Sequence, residues 1–280
     1  MSANTNGAFA TAQTIPSRFR INPIAKEVQD VFDSIYGQVS DFIKNPNSAM
    51  NGIIVSGDAG TGKTYTVKKA LIDMGHQKNV EYIKGGKITA ASLYVKLYLN
   101  RAKHRIIVLD DCDIIHHQDK NQIVPMLLGA ADLGQKRDVS WETARKNPLM
   151  EEHNVPHTFK FEGKIIWITN DRREQINKAV KQWAMALDSR FGFTKCYFTD
   201  EQKLMYTLHL VENADMLGSK CQEYDGGYPE NIINDSLDYM TEHYRNLVEV
   251  TPRRAIMIAD IMNQCSDPNQ LKERLRQLWK

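Results

Sequence analysis

Residues 52–64 read Gly52-Ile53-Ile54-Val55-Ser56-Gly57-Asp58-Ala59-Gly60-Thr61-Gly62-Lys63-Thr64 and carry the clearest structural pattern in this chain. Residues 52–56 are mostly β-branched and apolar on both alternating faces, which is typical of a strand covered by helices on each side. Residues 57–64 match the pattern G-x-x-x-x-G-K-[ST], and a helical pattern begins at the last of them. In this context, between a buried strand and a helix, the pattern predicts a phosphate-binding loop.

Each residue type in this loop has a chemical reason to be at a phosphate site. Glycines let consecutive backbone N–H groups turn toward the β-phosphate without Cβ clashes, and the helix N-terminus adds partial positive charge. Lys63 is expected to reach the β- and γ-phosphates of a nucleotide, and the Thr64 hydroxyl to ligate Mg²⁺. The residues expected to bind the nucleotide are Gly57, Asp58, Ala59, Gly60, Thr61, Gly62, Lys63 and Thr64. The alternative is a glycine-rich turn with a surface lysine, which leaves the joint match of strand, loop and helix unexplained.

A second motif places acidic residues at the end of the apolar strand pattern 105–109. Open α/β sheets bind their ligands at such strand ends. We expect Asp110 to hold Mg²⁺ through water, and Asp111 to lie beside the water that attacks the γ-phosphate. The alternative is a polar turn after the strand, where aspartate is common.

Strand and helix patterns alternate through most of the chain. The strand patterns are at 53–56, 80–83, 105–109 and 164–169, and the helical patterns among them are at 24–43, 64–74 and 89–101. This alternation predicts an α/β fold with a doubly wound, mostly parallel sheet. Beyond about residue 199 the strand patterns cease, and helical segments predict a small all-helical C-terminal domain.

Composition restricts the class of protein without naming a partner. The chain has 280 residues, 42% of them hydrophobic, and a net charge of +2. No apolar run approaches the ~20 residues that span a bilayer, so we expect no membrane segment. The four cysteines are far apart and form no C-x-x-C pair. We therefore expect neither a zinc site nor a disulfide framework, and a reducing cytoplasm as the compartment.

Five motifs together resemble the AAA+ ATPases, which are oligomeric P-loop machines. The motifs are GDAGTGKT, IIVLDDCD, IIWITN, ALDSRF and TPRRA, in the family's order, and the likeness covers roughly residues 18 to 265. The resemblance implies a homo-oligomer, as a ring or open spiral, with ATP and Mg²⁺ bound between subunits and hydrolysis by in-line attack of water. The small polar residues at the start of the chain predict a loose tail (1–15). The resemblance implies an AAA+ nucleotide-binding α/β domain (16–198) and a helical lid domain (199–280).

The resemblance also implies roles for residues outside the phosphate loop. Asn170 matches sensor 1, which orients the attacking water, although the alternative is an N-cap for a helix beginning near Asp171. Arg190 matches the arginine finger, which enters the neighbouring subunit's site and stabilises charge on the transferred phosphoryl group. A surface salt bridge is the alternative for Arg190. Arg172 and Arg173 are substitutes for the finger.

Arg253 resembles sensor 2 of the lid, and local helix chemistry supports this interpretation. Thr251 and Pro252 match the N-cap and the first helical position. Arg253 and Arg254 then lie in the first turn, where the helix dipole disfavours cations. Such a conflict often marks a functional site, and a nearby phosphate would offset the repulsion. The alternative is an exposed arginine pair.

The chain departs from the family at Asp111, where the family usually has glutamate. The aspartate side chain is shorter by about 1.5 Å, one C–C bond. Because a displacement of ~1 Å can cost ~10²-fold in rate, we expect slow hydrolysis. Asp113 is a weak candidate to compensate.

The working substrate is less well defined by the sequence. Residues 139–141 and 157–161 match the arms of a β-hairpin insertion that resembles one seen in branch-migration motors and several unfoldases. The loop Gly85–Ile88 lacks the aromatic-hydrophobic-Gly pattern of polypeptide-threading unfoldases, and Lys84 and Lys87 are candidates to touch a nucleic-acid backbone. We expect a role in nucleic-acid metabolism, such as DNA replication, with a nucleic acid or nucleoprotein as partner. The alternatives are a protein-remodelling chaperone and a nucleotide-gated scaffold with weak ATPase activity.

Overall fold

The computed structural model describes residues 22–45, 48–134, 136–142, 147–219, 221 and 226–280. The tail predicted for residues 1–15 lies outside these ranges. The described helices are α1 (Pro23–Lys44), α2 (Lys63–Asp73), α3 (Ala90–Leu99), α4 (Lys120–Ala130), α5 (Pro148–Glu152), α6 (Arg173–Val180), α7 (Ala184–Arg190), α8 (Asp200–Ala214), α9 (Glu230–His243), α10 (Pro252–Gln264) and α11 (Pro268–Arg276). The described strands are β1 (Gly52–Gly57), β2 (Val80–Gly86), β3 (Ile106–Cys112), β4 (Asp138–Ser140), β5 (Thr158–Lys160), β6 (Lys164–Thr169) and β7 (Phe191–Cys196).

The central sheet has five strands in the order β2-β3-β6-β1-β7. Every neighbouring pair in this sheet is parallel. Parallel neighbours need crossover connections, and helices supply most of them here. The α/β fold with a doubly wound, mostly parallel sheet is therefore confirmed. The carboxyl ends of β1, β3 and β6 meet at one edge, which brings the phosphate-loop, acidic and IIWITN motifs together.

The sheet is buried on both faces, as strand β6 illustrates. Ile165 and Trp167 belong to the apolar cluster formed with α3 and α4. Ile166 and Ile168 belong to the cluster formed with α1 and α2 on the other face. Successive side chains of a strand point to opposite faces, so a strand between two helical layers must be apolar throughout.

Strand β7 was missing from the sequence-based prediction. It pairs only with β1, at the end of the sheet. Gly192 and Lys195 interrupt its apolar pattern. An edge strand tolerates such residues because it is covered less completely than a central strand. The segment therefore lacks the continuous β-branched run that identifies β1, β3 and β6.

The predicted hairpin arms pair, but they do not form a tight hairpin. Strands β4 and β5 are antiparallel, with Val139 opposite Phe159. Helix α5 lies in the connection between them. Phe159 is buried, and its ring lies 5.0 Å from the Tyr94 ring and 5.3 Å from the Tyr98 ring, centroid to centroid. This aromatic side chain therefore packs on α3 and is not exposed to stack on bases.

The region after β7 is helical, as predicted. Helices α8 to α11 surround an apolar cluster of their own that includes Leu204, Met240 and Ile258. Helix α8 also packs on the α/β region, where the Tyr206 ring stacks on Phe32 at 5.3 Å between centroids. The boundary at residue 198 or 199 stays a prediction.

Lys164, at the start of β6, places an amine inside the protein. Only 4% of the residue is exposed. Its Nζ donates hydrogen bonds to the backbone oxygens of Phe42 and Asn45 at the end of α1, and lies 4.3 Å from the centroid of the Phe42 ring. Burial, with a smaller contribution from the charge of Arg137, lowers the pKa of Lys164 to about 8. A neutral amine keeps two N–H donors, enough for both oxygens.

The Lys164 amine predicts a stability change at alkaline pH. Between about pH 8 and pH 10.4, the unfolded chain binds more protons at this residue than the folded chain. The free energy of unfolding should therefore rise with pH, relative to that of Lys164→Met, by about 2 kcal/mol between about pH 7 and pH 9.5. Urea unfolding of both proteins at the two pH values measures the difference. A difference that does not change with pH would contradict the assignment.

A side chain at position 57 should lower the stability of the protein, because β1 and β7 lie very close together there. A Cβ on Gly57 would lie 2.2 Å from both the backbone oxygen and the Sγ of Cys196. Gly57→Ala should lower the free energy of unfolding by about 2–3 kcal/mol, because β7 must move away. Gly37→Ala is the matched control. Gly37 lies in α1 with open space around its Cβ position, and the change should add up to about 1 kcal/mol. Equal effects of the two substitutions, measured by urea unfolding, would disprove the close contact.

Candidate nucleotide-binding site

The phosphate loop connects β1 to α2, and two of its glycines have backbone conformations that other residues rarely adopt. Gly60 has φ +69° and Gly62, the N-cap of α2, has φ +112°. Other residues meet a steric penalty at such angles. Helix α2 begins at Lys63, so its unpaired N–H groups and positive dipole end lie at this loop. The arrangement is that of an anion-binding helix N-terminus.

Lys63 is 6% exposed, and its amine is fully hydrogen-bonded. Its Nζ donates to the backbone oxygens of Gly57 at 2.8 Å and Asp58 at 2.6 Å, and to Asn170 Oδ1 at 2.9 Å. These three acceptors match the three N–H donors of an ammonium group. Burial lowers the pKa of Lys63, while neighbouring groups that include Asp111 raise it.

Thr64 and Asp110 place two oxygen groups side by side. The Thr64 hydroxyl donates to Asp110 Oδ1 at 2.7 Å, and Asp110 is 8% exposed. Hydroxyl and carboxylate oxygens are the hard donors that Mg²⁺ prefers, usually together with substrate phosphates and water. The donor set therefore fits a magnesium ion.

Asn170 connects the phosphate loop to the acidic motif. Its Nδ2 donates to Asp111 Oδ1 at 2.9 Å, while its Oδ1 accepts from Lys63. Helix α6 begins at Arg173, so the alternative of an N-cap role for Asn170 is wrong. Asp111 has φ +56°, a left-handed conformation in which aspartate is enriched over most residues. Such angles concentrate at functional sites.

These residues line a cavity of about 550 Å³ at the carboxyl edge of the sheet. The expected site residues on its wall are Ala59, Gly60, Thr61, Gly62, Lys63, Thr64, Asp110, Asp111, Asn170 and Arg253. Further lining residues, which the sequence did not identify as part of the site, are Tyr65, Lys68, Lys84, Gly85, Ile168 and Thr169. For the residues on α2 and β6, the available signal was their position in or next to a motif. Lys84 and Gly85 lie on β2, which carries none of the motifs.

Gly57, Asp58 and Arg190 do not line this cavity. The first two act through their backbone oxygens, which accept from Lys63. The Asp58 carboxylate turns toward α8, where Oδ2 accepts from Phe198 N at 3.3 Å and lies 3.7 Å from Lys203 Nζ.

Arg253 and Arg254 begin α10 but have different surroundings. Thr251 caps the helix, and its Oγ1 accepts from Arg254 N at 3.2 Å, as the sequence predicts. The Arg254 guanidinium lies 3.2 Å from Glu249 Oε1. Arg253 is exposed, and none of the described residues forms a hydrogen bond or ion pair with its guanidinium. Of the pair, Arg253 is thus the one available to a ligand.

A second cavity of about 700 Å³ adjoins the first. Its wall is formed by the phosphate loop, α2, α8 and α10: Thr61, Gly62, Tyr65, Thr66, Tyr206, Leu210, Ala214, Met216, Pro252, Arg253, Ile256 and Met257. Mostly apolar walls with a few polar groups are typical of small-molecule sites. The two cavities share Thr61, Gly62, Tyr65 and Arg253, so one ligand with a polar and an apolar part is able to occupy both.

Arg190 ends helix α7 and lies apart from the cavity. Its Nε lies 3.5 Å from Asp132 Oδ1, an ion pair of the kind given above as the alternative role, and its Nη1 donates to Ala186 O at 3.3 Å. The Nε atom of Arg190 has no hydrogen-bond acceptor among the described residues. The candidate substitutes also have partners in the same chain. Arg173 pairs with Asp188 at 2.9 Å, and the Arg172 guanidinium lies 4.6 Å from the centroid of the Tyr197 ring.

Several other polar side chains do not join the site. Asp113 does not line the cavity, and its buried Oδ1 has no hydrogen-bond partner in the described part of the chain. The His117 ring accepts from Asp119 N at 3.0 Å, and His116 Nε2 lies 3.2 Å from Asp171 Oδ1. Within the described ranges, no three histidine, cysteine or acidic side chains form a group suited to a metal ion.

None of the described helices combines the length and apolarity needed to cross a bilayer.

Several solved structures resemble this chain in fold. Domain III of the Thermotoga maritima replication initiation protein DnaA has 14% identity and a TM-score of 0.46, over 94% of this chain and 95% of that one. The Thermotoga maritima RuvB Holliday junction branch migration motor has 11% identity and a TM-score of 0.46, over 92% and 70% of the two chains. NtrX from Brucella abortus, in complex with ADP, has 14% identity and a TM-score of 0.46, over 87% and 53%.

Two comparisons of sequence complete the description. An uncharacterized 36.7 kDa protein in the nrdC-mobD intergenic region of Enterobacteria phage T4 is 29% identical over 234 residues, which are 82% of this chain and 68% of that protein. The family model for "ATPase family associated with various cellular activities (AAA)" matches residues 53–193, half of the chain. The matched residues contain all of β1 but its first residue, together with the phosphate loop, the acidic motif and β6. The chain belongs to the AAA family of ATPases.

Proposed function

We propose that this chain binds ATP with Mg²⁺ in the two adjoining cavities and hydrolyses it in an oligomer. The observation that carries the proposal is the hydrogen-bonded series from Lys63 through Asn170 to Asp111. The series joins three separate motifs at one point beside the pair of Thr64 and Asp110. Nucleotide hydrolysis in general is the activity of the family. The remaining roles proposed here are for particular residues.

The phosphates would occupy the first cavity and the base would occupy the second. The backbone N–H groups of residues 59–64 and the Lys63 amine would hold the β- and γ-phosphates. Thr64 and Asp110 would hold Mg²⁺, directly and through water. The ion, when bound, supplies positive charge that offsets the charge developing on the phosphoryl oxygens. The apolar wall between α8 and α10 would pack against the adenine.

Asn170 and Asp111 would orient the attacking water. Asn170 is already held by Lys63 on one side and donates to Asp111 on the other. Asp111 would accept a hydrogen bond from the water and align it with the γ-phosphorus. Its side chain is one carbon shorter than glutamate, so turnover is expected to be slow. Arg253 would contact the phosphates from the helical region, where a bound anion offsets the dipole at the start of α10.

Arg190 would complete the site of a neighbouring copy. Its place outside the cavity of its own chain supports action in trans. There the guanidinium would stabilise the charge on the transferred phosphoryl group, which in other phosphoryl-transfer enzymes contributes ~10³-fold or more in rate. The working unit would then be a homo-oligomer, as a ring or open spiral.

We extend the proposal to a role in nucleic-acid metabolism, in which positive charge at the amino edge of the sheet would contact the phosphate backbone. Lys78, Arg101 and Lys103 are exposed in the loops that precede β2 and β3. The loop before β6 joins them, because Glu162 N donates to Arg101 O at 2.7 Å. Glu162 is the acidic residue there, and Lys160 pairs with it at 2.8 Å. Such clustered cations bind nucleic acid without regard to sequence.

ATPase assays with three possible activators test this extension. Single-stranded DNA, duplex DNA and an unfolded protein are each added to the assembled protein with ATP and Mg²⁺. Stimulation by either DNA supports the nucleic-acid role, whereas stimulation by the unfolded protein supports protein remodelling. Tight nucleotide binding with negligible turnover would support a nucleotide-gated scaffold, the function that the short Asp111 side chain favours as an alternative.

The role of Asp111 predicts the effect of lengthening its side chain. Asp111→Glu should retain or raise ATP turnover in the assembled protein, because the carboxylate moves about 1.5 Å toward the water. Lys63→Ala, which removes a phosphate ligand, should lower turnover at least ~10²-fold and provides the reference for loss. Phosphate release under saturating ATP measures both. A fall of Asp111→Glu to the Lys63→Ala level would refute the role.

Action of Arg190 in trans predicts rescue between two inactive variants. Arg190→Ala and Lys63→Ala should each be nearly inactive alone. In an equal mixture that exchanges subunits, about a quarter of the sites combine an intact Lys63 with a neighbour's intact Arg190 and should regain activity. Turnover of the mixture, compared with that of each variant alone, measures the rescue. Turnover no greater than the mean of the two variants, in mixed oligomers, would exclude the finger.

A further inference from the structure

Two lysines on the wall of the phosphate cavity are not used by the chemistry above. Lys68 lies on α2, one turn after Thr64, and Lys84 lies on β2. In the parallel pairing of β2 with β3, Lys84 is opposite Asp110. Both lysines line the cavity, on the side of the acidic motif. Lys84 and Lys87 are both exposed, but Lys87 does not line the cavity.

The two amines are close to each other. The Lys68 Nζ lies 5.8 Å, and the Lys84 Nζ 6.0 Å, from the centroid of the same Tyr82 ring. Burial lowers the pKa of Lys68, and contact with the Lys84 side chain lowers it further. Among the described residues, neither amine forms an ion pair with a carboxylate. The nearby Asp110 raises the pKa of Lys68, but this is the smallest of the effects on that pKa. The Asp110 Oδ1 accepts a hydrogen bond from Thr64.

Two adjacent ammonium groups in a partly enclosed cavity repel each other unless an anion lies between them. The Tyr82 ring offsets part of this cost through its negative face. The cavity wall carries four cationic side chains, Lys63, Lys68, Lys84 and Arg253, against the two carboxylates of Asp110 and Asp111. The remaining positive charge suits a ligand with several anionic oxygens.

The geometry points to Lys68 and Lys84 as a recognition element for the terminal phosphoryl group, which makes the site prefer a nucleoside triphosphate to a diphosphate. The inference rests on the proposed function, because it places the γ-phosphate in this cavity. The phosphate loop and the N-terminus of α2 hold the β-phosphate, and both nucleotides contain that group. The lysines lie toward Asp110 and Asp111, where the third phosphate and the attacking water belong. Their contribution is therefore specific to the triphosphate.

The test measures the affinities of ATPγS and ADP, each with Mg²⁺, by isothermal titration calorimetry. The variants are Lys68→Met, Lys84→Met and the double variant, because methionine keeps the length of the side chain and removes its charge. The double variant should lose at least ~10-fold in affinity for ATPγS and less than ~3-fold for ADP. Each single variant should show a smaller loss in the same direction.

Matched controls come from lysines close in sequence but outside the cavity. Lys69→Met changes the next residue of α2, whose amine pairs with Asp73 at 2.7 Å on the surface. Lys87→Met changes the exposed lysine after β2. Both should leave the ratio of the two affinities within ~2-fold of the native value. Lys68→Arg and Lys84→Arg keep the charge and should retain the preference, which separates loss of charge from loss of fold.

The outcomes distinguish this inference from the proposed function. If the native protein binds neither nucleotide, the proposed function fails. If the native protein binds both, but the lysine variants lose both affinities equally or neither, only the present inference is overturned. Fluorescence anisotropy with labelled single-stranded DNA provides the other arm. Loss of DNA binding with an unchanged preference for ATPγS would assign the lysines to a nucleic-acid backbone and overturn the inference. If the double variant does not fold, the single Met and Arg variants decide between these outcomes.

Discussion

The parallel pairing of β1 between β6 and β7 is the constraint on which the site depends. Ser56 is in register with Thr169, and Gly57 with Cys196. Strand β3 joins the other side of β6, with Asp110 in register with Ile168. These registers place the carboxyl ends of β1, β3 and β6 at one edge. Lys63 at the start of α2, Asp111 near the end of β3 and Asn170 just after β6 meet there. A slip of one residue in any pair would turn the site residues to the opposite face of the sheet.

The same pairing brings the polar groups near the core within hydrogen-bonding distance of one another, and these hydrogen bonds explain why the groups are tolerated there. The Lys63 ammonium is nearly buried, and its three hydrogen bonds offset the loss of water around it. Asp110 is nearly buried as well, and the Thr64 hydroxyl donates to it. Phosphate oxygens would therefore enter a site whose polar groups are held in place before binding. Such preorganisation lowers the cost of orienting groups during catalysis.

Sequence patterns predicted the parts of this structure that depend on local periodicity. The continuous apolar runs identified β1, β3 and β6, and the cap formed by Thr251 and Pro252 identified the start of α10. Strand β7 was not predicted, because its burial depends on pairing with β1, which is distant in sequence, and not on its own sequence pattern. For the site, the motifs supplied most of the candidate residues. Strand register determines two further features of the site, and no local pattern records it. Asn170 contacts both Lys63 and Asp111, and Lys84 lines the cavity while Lys87 does not.

The contact between Gly60 and Thr251 has a mechanical consequence. A Cβ on Gly60 would come within 3.1 Å of Thr251 Oγ1, so the phosphate loop touches the cap of the helix that carries Arg253. A nucleotide that contacts both the loop and α10 bridges two regions that have separate apolar clusters. If nucleotide binding changes the position of α8 to α11, then displacing these helices must change the affinity for nucleotide by the same coupling free energy. Coupling of this kind would act equally in both directions.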